Sequence, residues 1–154
     1  MYSALLHTHG ILRWLVLIAA VVAIVLHIKG WLTQSSYTKR DRISRGMFIG
    51  FFHLQVVLGL ILYSGVSPIV RVAMKDMGSA MKDPVLRFWG VEHVSLMLLA
   101  VIIAQVAMSL SKRAETDLAK FRHAAIGFTI ALIVMCAAIP WPFRDNVGRA
   151  LLPF

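Results

Sequence analysis

Four apolar segments, each long enough to cross a membrane, constrain this sequence more than any other feature. They lie at about residues 5–32, 47–66, 89–110 and 123–141. A helix needs about 20 mainly apolar residues to span the hydrocarbon core of a bilayer. Of the 154 residues, 59% are hydrophobic and only 15% are charged, which is far from the balance of a soluble domain. We therefore expect residues 1–154 to form one domain, an all-α, integral membrane bundle of four antiparallel helices.

The connections between the segments differ in character. Residues 33–46 form a polar, basic connector, whereas residues 69–81 mix apolar and charged positions and predict a short amphipathic helix on the surface. The first apolar segment has no basic residue ahead of it and no small-residue cleavage site. We therefore expect it to be retained as a span rather than removed as a signal peptide.

The net charge of +9 would suggest nucleic acid as a partner of a soluble protein. Here the positive residues cluster at span ends, so the lipid bilayer is the expected partner and nucleic acid is not. Nine positive residues lie in or beside the two short connections, and seven are dispersed over the rest of the chain. The positive-inside bias then places both short connections in the cytoplasm and both termini outside. The expected location is a bacterial inner membrane.

Two histidines on different predicted spans lie at nearly the same depth. His9 is 20 residues from Lys29, and His93 is 19 residues from Lys112. At ~1.5 Å rise per residue, both imidazoles lie roughly 29 Å from the same basic face. In an antiparallel bundle the first and third helices run parallel and can face each other. Because haem iron accepts two axial imidazoles, the sequence predicts one b-type haem held by His9 and His93 near the outer face.

Neighbouring residues add two candidate anchors and leave alternatives open. Arg13 lies at i+4 from His9, on the same helix face, and with Arg87 is a candidate partner for haem propionates. Glu92 and a lipid phosphate are alternative ionic partners of Arg13. The alternative for His93 is a pairing with Glu92 at the membrane interface. His7 lies beside His9 and remains an alternative ligand, since helix boundaries are uncertain by a couple of residues.

The remaining histidines support a second cofactor less well. His27 and His123 lie beside basic residues and are expected at the depth of the headgroups. His53 lies deeper and needs a partner: Gln55, Tyr63, a quinone or the edge of the haem. A second haem on His53 and His123 is the lesser alternative, because their depths differ by roughly 10 Å.

Three short motifs share the order of a known family. They are His9-Gly10 at the start of the first span, the sequence LQVVLG at residues 54–59, and His93 opening the third span. This order resembles one four-helix half of the haem A synthase family, over about two thirds of the chain. The resemblance implies that His9 and His93 are axial ligands of a b-type haem and that Gly59 brings helix backbone close to its ring.

The chain departs from that family in three respects. It has Leu6 where the family has a carboxylate, it has no cysteine in an outer loop, and it has four predicted spans rather than eight. The resemblance therefore implies a haem-holding bundle, as in small b-type membrane cytochromes, and not the synthase reaction.

Electron transfer is the function that these features favour. The chain contains no HExxH, GxSxG, P-loop or GxGxxG pattern, and its single cysteine, Cys136, excludes both an intrachain disulfide and a CxxCH haem attachment. We expect a membrane oxidoreductase component that relays electrons between the quinone pool and another redox protein. The alternative is a haem-free accessory or assembly subunit of a larger membrane complex. Either protein could work as a subunit of a complex or as a homo-oligomer.

Overall fold

The computed structural model describes residues 2–151, and all of the regular structure in that part of the chain is helical. This confirms the all-α class. The elements follow in chain order: α1 Tyr2–Thr33, α2 Lys39–Ile61 continued by a π-helical turn Leu62–Val66, α3 Pro68–Lys75, α4 Met77–Ala80, α5 Pro84–Arg87 followed by a π-helical turn Phe88–Glu92, α6 His93–Arg113 and α7 Asp117–Ala138.

Four helical stretches are long and apolar enough to cross a membrane: Tyr2–Thr33, Lys39–Val66, Pro84–Arg113 and Asp117–Ala138. We call them spans one to four. Most extend past the apolar segments of the sequence, because polar residues continue the helices. Span two, for example, begins at Lys39 rather than near residue 47. Its start is capped by the Asp41 carboxylate, which accepts hydrogen bonds from the backbone N–H (2.8 Å) and hydroxyl (2.6 Å) of Thr38.

The spans form a four-helix bundle in which consecutive helices are neighbours. α1 packs against α2 and α7, and α6 packs against α7 and α2, so α1 and α6 lie on one diagonal of the bundle. Small residues allow close packing: a Cβ added at Gly127 on α7 would overlap the Cβ of Ala107 on α6. Since α1 and α6 run in the same direction, His9 and His93 lie at the same end, which we call the cavity end.

The predicted surface helix at residues 69–81 is two helices, α3 and α4, in the structure. The backbone breaks at Asp76, with φ −145° and ψ 88°. The Asp76 carboxylate accepts hydrogen bonds from the backbone N–H (3.1 Å) and hydroxyl (2.6 Å) of Ser79. These bonds stabilise the ionised form and lower the pKa of Asp76 from its ordinary value. The break thus forms the N-cap of α4.

A buried polar network occupies the opposite end of the bundle. His27 is fully buried rather than at headgroup depth, because its helix face points into the bundle. Its Nδ1 donates to the carbonyl of Ala23 (2.7 Å), so its Nε2 accepts from the hydroxyl of Tyr37 (3.1 Å). Burial raises the pKa of the Tyr37 phenol, which keeps it a donor. Close by, the buried Arg45 donates to Ser111 Oγ (2.8 Å).

Candidate cofactor cavity

A cavity of about 420 Å³ lies at the cavity end of the bundle. Its walls come from the start of α1, the end of α2, the start of α6, the end of α7 and the tail that follows α7. Small-molecule and cofactor sites usually measure about 300–1,000 Å³ and are mostly apolar with a few polar groups. Phe52, Val56 and Met97 are among its apolar lining residues. The cavity therefore has the size and the character of a cofactor site.

His93 lines this cavity and has one ring nitrogen fixed by the backbone. It directly follows the π-helical turn Phe88–Glu92, a kind of distortion that is frequent at functional sites. Nδ1 of His93 lies 2.9 Å from the carbonyl oxygen of Ala138 on α7. A carbonyl only accepts hydrogen bonds, so Nδ1 carries the proton and the lone pair of a neutral ring lies on Nε2. Metal-binding histidines commonly use this arrangement.

His9 lines the same cavity from the diagonally opposite helix. Its Nδ1 is buried and has no hydrogen-bond partner in the part of the chain that the structure describes. Gln55 on α2 donates through Nε2 to the backbone carbonyl of His9 (3.0 Å), and its own Oε1 is buried without a partner among the described residues. A Cβ at Gly59 would lie 3.2 Å from Cε1 of His9, so glycine here lets the α2 backbone approach the ring.

The two predicted propionate anchors have different positions. Arg13 lines the cavity, where its Nη2 donates to the carbonyl of Leu151 (2.6 Å) and its Nε is buried without a partner among residues 2–151. Arg87 is not one of the lining residues. Its Nε instead donates to Oε1 of Glu92 at 2.7 Å, in a half-exposed ion pair. The structure thus brings Arg13 to His9 and His93, and leaves Arg87 outside.

Of the histidines His7, His53 and His123, only His7 lines the cavity. His7 lines the cavity and is exposed, so both candidate ligands of the first span border the site. His53 is exposed on α2 and donates through Nδ1 to the carbonyl of Ile49 (2.9 Å). His123 has a buried Nδ1 without a partner within residues 2–151. Neither His53 nor His123 lines the cavity.

Two lining residues at the cavity mouth were not identified from the sequence. Arg149, in the tail, lies over the ring of Trp89, with its Cζ 4.3 Å from the ring centroid, and both residues line the cavity. The tail has no periodic pattern that predicts its path. Only its two arginines, set close to an aromatic and proline cluster after span four, could have drawn attention to it.

No protein-family model matches this chain, and no curated protein or solved structure is significantly similar to it. Within residues 2–151, no group of three or more His, Cys, Asp or Glu side chains is placed to hold a metal ion. The cavity itself, lined by His9 and His93 from diagonally opposite helices, is therefore the main indication of function.

Proposed function

We propose that this protein is a b-type membrane cytochrome that relays electrons, with a haem held by His9 and His93 as axial ligands. One observation carries the proposal: imidazoles from two diagonally opposed spans line one largely apolar cavity. Haem needs only two protein ligands, because the macrocycle supplies the other four donor atoms. Two histidines are therefore sufficient here, although they would not complete a bare metal site.

The cavity residues fit a haem. On His93, the nitrogen opposite the Ala138 hydrogen bond has its lone pair available, and on His9 no ring hydrogen bond from residues 2–151 competes with ligation. Gly59 leaves room beside the His9 ring, where a larger side chain would intrude. Glycine allows helix backbone to approach a binding site closely. A hydrogen bond to the second ring nitrogen fixes the orientation of a metal-binding histidine.

The chain's own residues would hold and orient the cofactor and would exclude water from it. The Ala138 carbonyl fixes the tautomer and the direction of His93, and Gln55 fixes the backbone that carries His9. Phe52 and Val56, which line the cavity, would exclude water from the bound cofactor. When bound, haem iron would supply reversible one-electron transfer, whose potential depends on its axial ligands and on burial.

The relay would connect the quinone pool with a second redox protein in a bacterial inner membrane. Apolar side chains are exposed along the outer faces of all four spans, which suits lipid contact. The same faces suit a neighbouring subunit or a second copy, so the proposal includes work within a larger complex or as a homo-oligomer. Representative exposed positions are Ile18, Val25, Val57, Ile102 and Ile133.

The reduced-minus-oxidised spectrum of the purified protein tests the proposal. We expect a low-spin b-type spectrum with one haem per chain. Either His93→Ala or His9→Ala should abolish it or convert it to high spin, with helical content unchanged by circular dichroism. His53→Ala and His123→Ala are matched controls, because neither residue lines the cavity, and both should retain one haem.

Other outcomes of that experiment are equally clear. If His7→Ala removes the low-spin spectrum and His9→Ala does not, the ligand from span one is His7. A ratio near two haems that falls when His53 or His123 is replaced would contradict the single-haem proposal. Protein that contains no haem under any growth condition would contradict electron relay and favour the haem-free accessory subunit.

A further inference from the structure

The tail after span four folds back and forms part of the cavity wall. The backbone N–H of Arg149 donates to the carbonyl of Pro140 (3.0 Å). Two residues further on, the carbonyl of Leu151 accepts hydrogen bonds from Arg13 Nη2 (2.6 Å) and Trp14 Nε1 (2.9 Å) of span one. The tail is thus attached at both of its ends, and it joins spans one and four at the cavity mouth.

A tight turn directs the tail toward the cavity. The N–H of Gly148 donates to the carbonyl of Arg144 (2.9 Å). A Cβ at Gly148 would lie 2.7 Å from that oxygen and 2.8 Å from the carbonyl oxygen of Trp141, so only glycine fits. Val147 is buried under the turn.

The two arginines of the tail have different surroundings. Arg144 Nη1 donates to the carbonyl of Ala137 (2.9 Å), and its guanidinium lies 4.8 Å from the ring centroid of Phe88. It fastens the tail to α7 and is not a lining residue of the cavity. Arg149 does line the cavity, beside Trp89. Arg144 therefore holds the tail in place, whereas Arg149 faces the cavity.

The charge at the cavity mouth is positive, and no carboxylate of the described residues neutralises it. Arg13 and Arg149 line the cavity, and no Asp or Glu is among the described lining residues. Ion pairs within residues 2–151 are Arg87–Glu92 and Lys120–Asp117, and neither involves Arg13 or Arg149. Two half-buried cations beside an apolar cavity, with no carboxylate partner in residues 2–151, suit a ligand that is apolar at one end and acidic at the other.

We propose that the tail is part of the binding site, and that Arg149, together with Arg13, binds the acidic groups of the ligand at the cavity mouth. In naming those groups as the propionates of a haem, the inference rests on the proposed function. Arg149 is then a ligand-binding residue at the cavity mouth, a role that was not predicted from the sequence.

Porphyrins with free and with esterified propionates test this proposal. Full-length protein purified without haem from haem-deficient cells would be titrated with four compounds: haem, haem dimethyl ester, protoporphyrin IX and its dimethyl ester. The iron-free pair needs no axial ligand, so its acid-to-ester affinity ratio reports the mouth alone. We expect the acid forms to bind about 10- to 100-fold more tightly than the esters, as for loss of charge-assisted hydrogen bonds.

Three variants connect that preference with Arg149. Arg149→Gln should lose most of the acid preference, Arg149→Lys should retain much of it, and Arg87→Gln, outside the cavity, should retain all of it. Thermal unfolding and circular dichroism check that each variant is folded. If Arg149→Gln does not fold, the ratios in Arg149→Lys and Arg87→Gln still decide, because a loss in Arg87→Gln alone overturns the assignment.

The outcomes separate this inference from the proposed function. Wild-type protein that forms a low-spin haem complex but binds acid and ester equally overturns the inference and leaves haem ligation standing. Wild-type protein that selects acid protoporphyrin but gives no low-spin complex with haem supports the acidic-ligand site and contradicts axial ligation. A wild type that binds none of the four porphyrins overturns both.

Discussion

Gly59 is a point of close approach in the cavity wall. Its α2 backbone lies against the His9 ring, so that a Cβ there would be 3.2 Å from Cε1 and 3.8 Å from Nδ1. Contacts at 3.2 Å require the neighbour to move by a few tenths of an ångström. A methyl group is therefore near the limit, and a longer side chain would displace the imidazole.

Substitution of Gly59 should disturb the proposed haem site more as the new side chain becomes larger. We expect Gly59→Ala to retain haem with a shifted spectrum, and Gly59→Leu to lose haem or to become high spin, because the His9 ring no longer reaches the iron. The control is Gly50→Leu on the same helix, where a Cβ meets nothing within 4 Å. Equal haem content in Gly59→Leu, Gly50→Leu and the wild type would contradict this role of Gly59.

At the residue scale, the sequence predicts how deep a side chain lies better than which way it points. Counting from basic residues placed His9 and His93 at one depth, and both line one cavity. The same counting put His27 among the headgroups and made His53 the histidine in need of a buried partner. In the structure His27 is fully buried and His53 is exposed. Helix rotation depends on tertiary packing, which no count along the chain supplies.

At the element scale, the α6 and α7 pair depends on small residues. A Cβ at Gly127 would overlap Cβ of Ala107 and lie 3.4 Å from its Cα, so the two helices approach closely there. The apolar segments predicted that such helices exist. The exact ends of the four spans were not predictable from hydropathy, because capping by residues such as Asp41 continues a helix beyond its apolar part. Hydropathy also carries no signal for the π-helical turns in spans two and three.

Replacing Gly127 with alanine should weaken the bundle. Overpacking of a close helix contact typically costs about 1–3 kcal/mol, and we expect Gly127→Ala to lower the free energy of unfolding by an amount in that range. Gly46→Ala is the matched control, because a Cβ at Gly46 meets nothing within 4 Å, and it should be neutral or slightly stabilising. Unfolding in mixed micelles, followed by circular dichroism, measures both. Equal stability of the two variants would show that α6 and α7 separate without cost.

At the scale of the whole molecule, the proposed orientation follows from the distribution of charge. Nine positive residues flank the two short connections and seven are dispersed elsewhere. If the positive-inside bias determines the orientation of the bundle, a reporter fused after Phe154 should behave as exported. The same reporter inserted in the connection at residues 34–38 is the control and should be cytoplasmic. The reverse pattern would invert the bundle, with its cavity end toward the cytoplasm.

The attachment of Leu151 to Arg13 and Trp14 also has a consequence for biosynthesis. Residues at the start of span one are made first, but the carbonyl that they bind follows span four in the chain. While a ribosome is still extending the chain, the mouth of the cavity therefore lacks one wall. The proposed haem would have its widest entrance before the tail docks, and docking would then slow its escape. Docking of the tail, which depends on the last part of the chain to be made, would therefore complete maturation after the cavity is loaded.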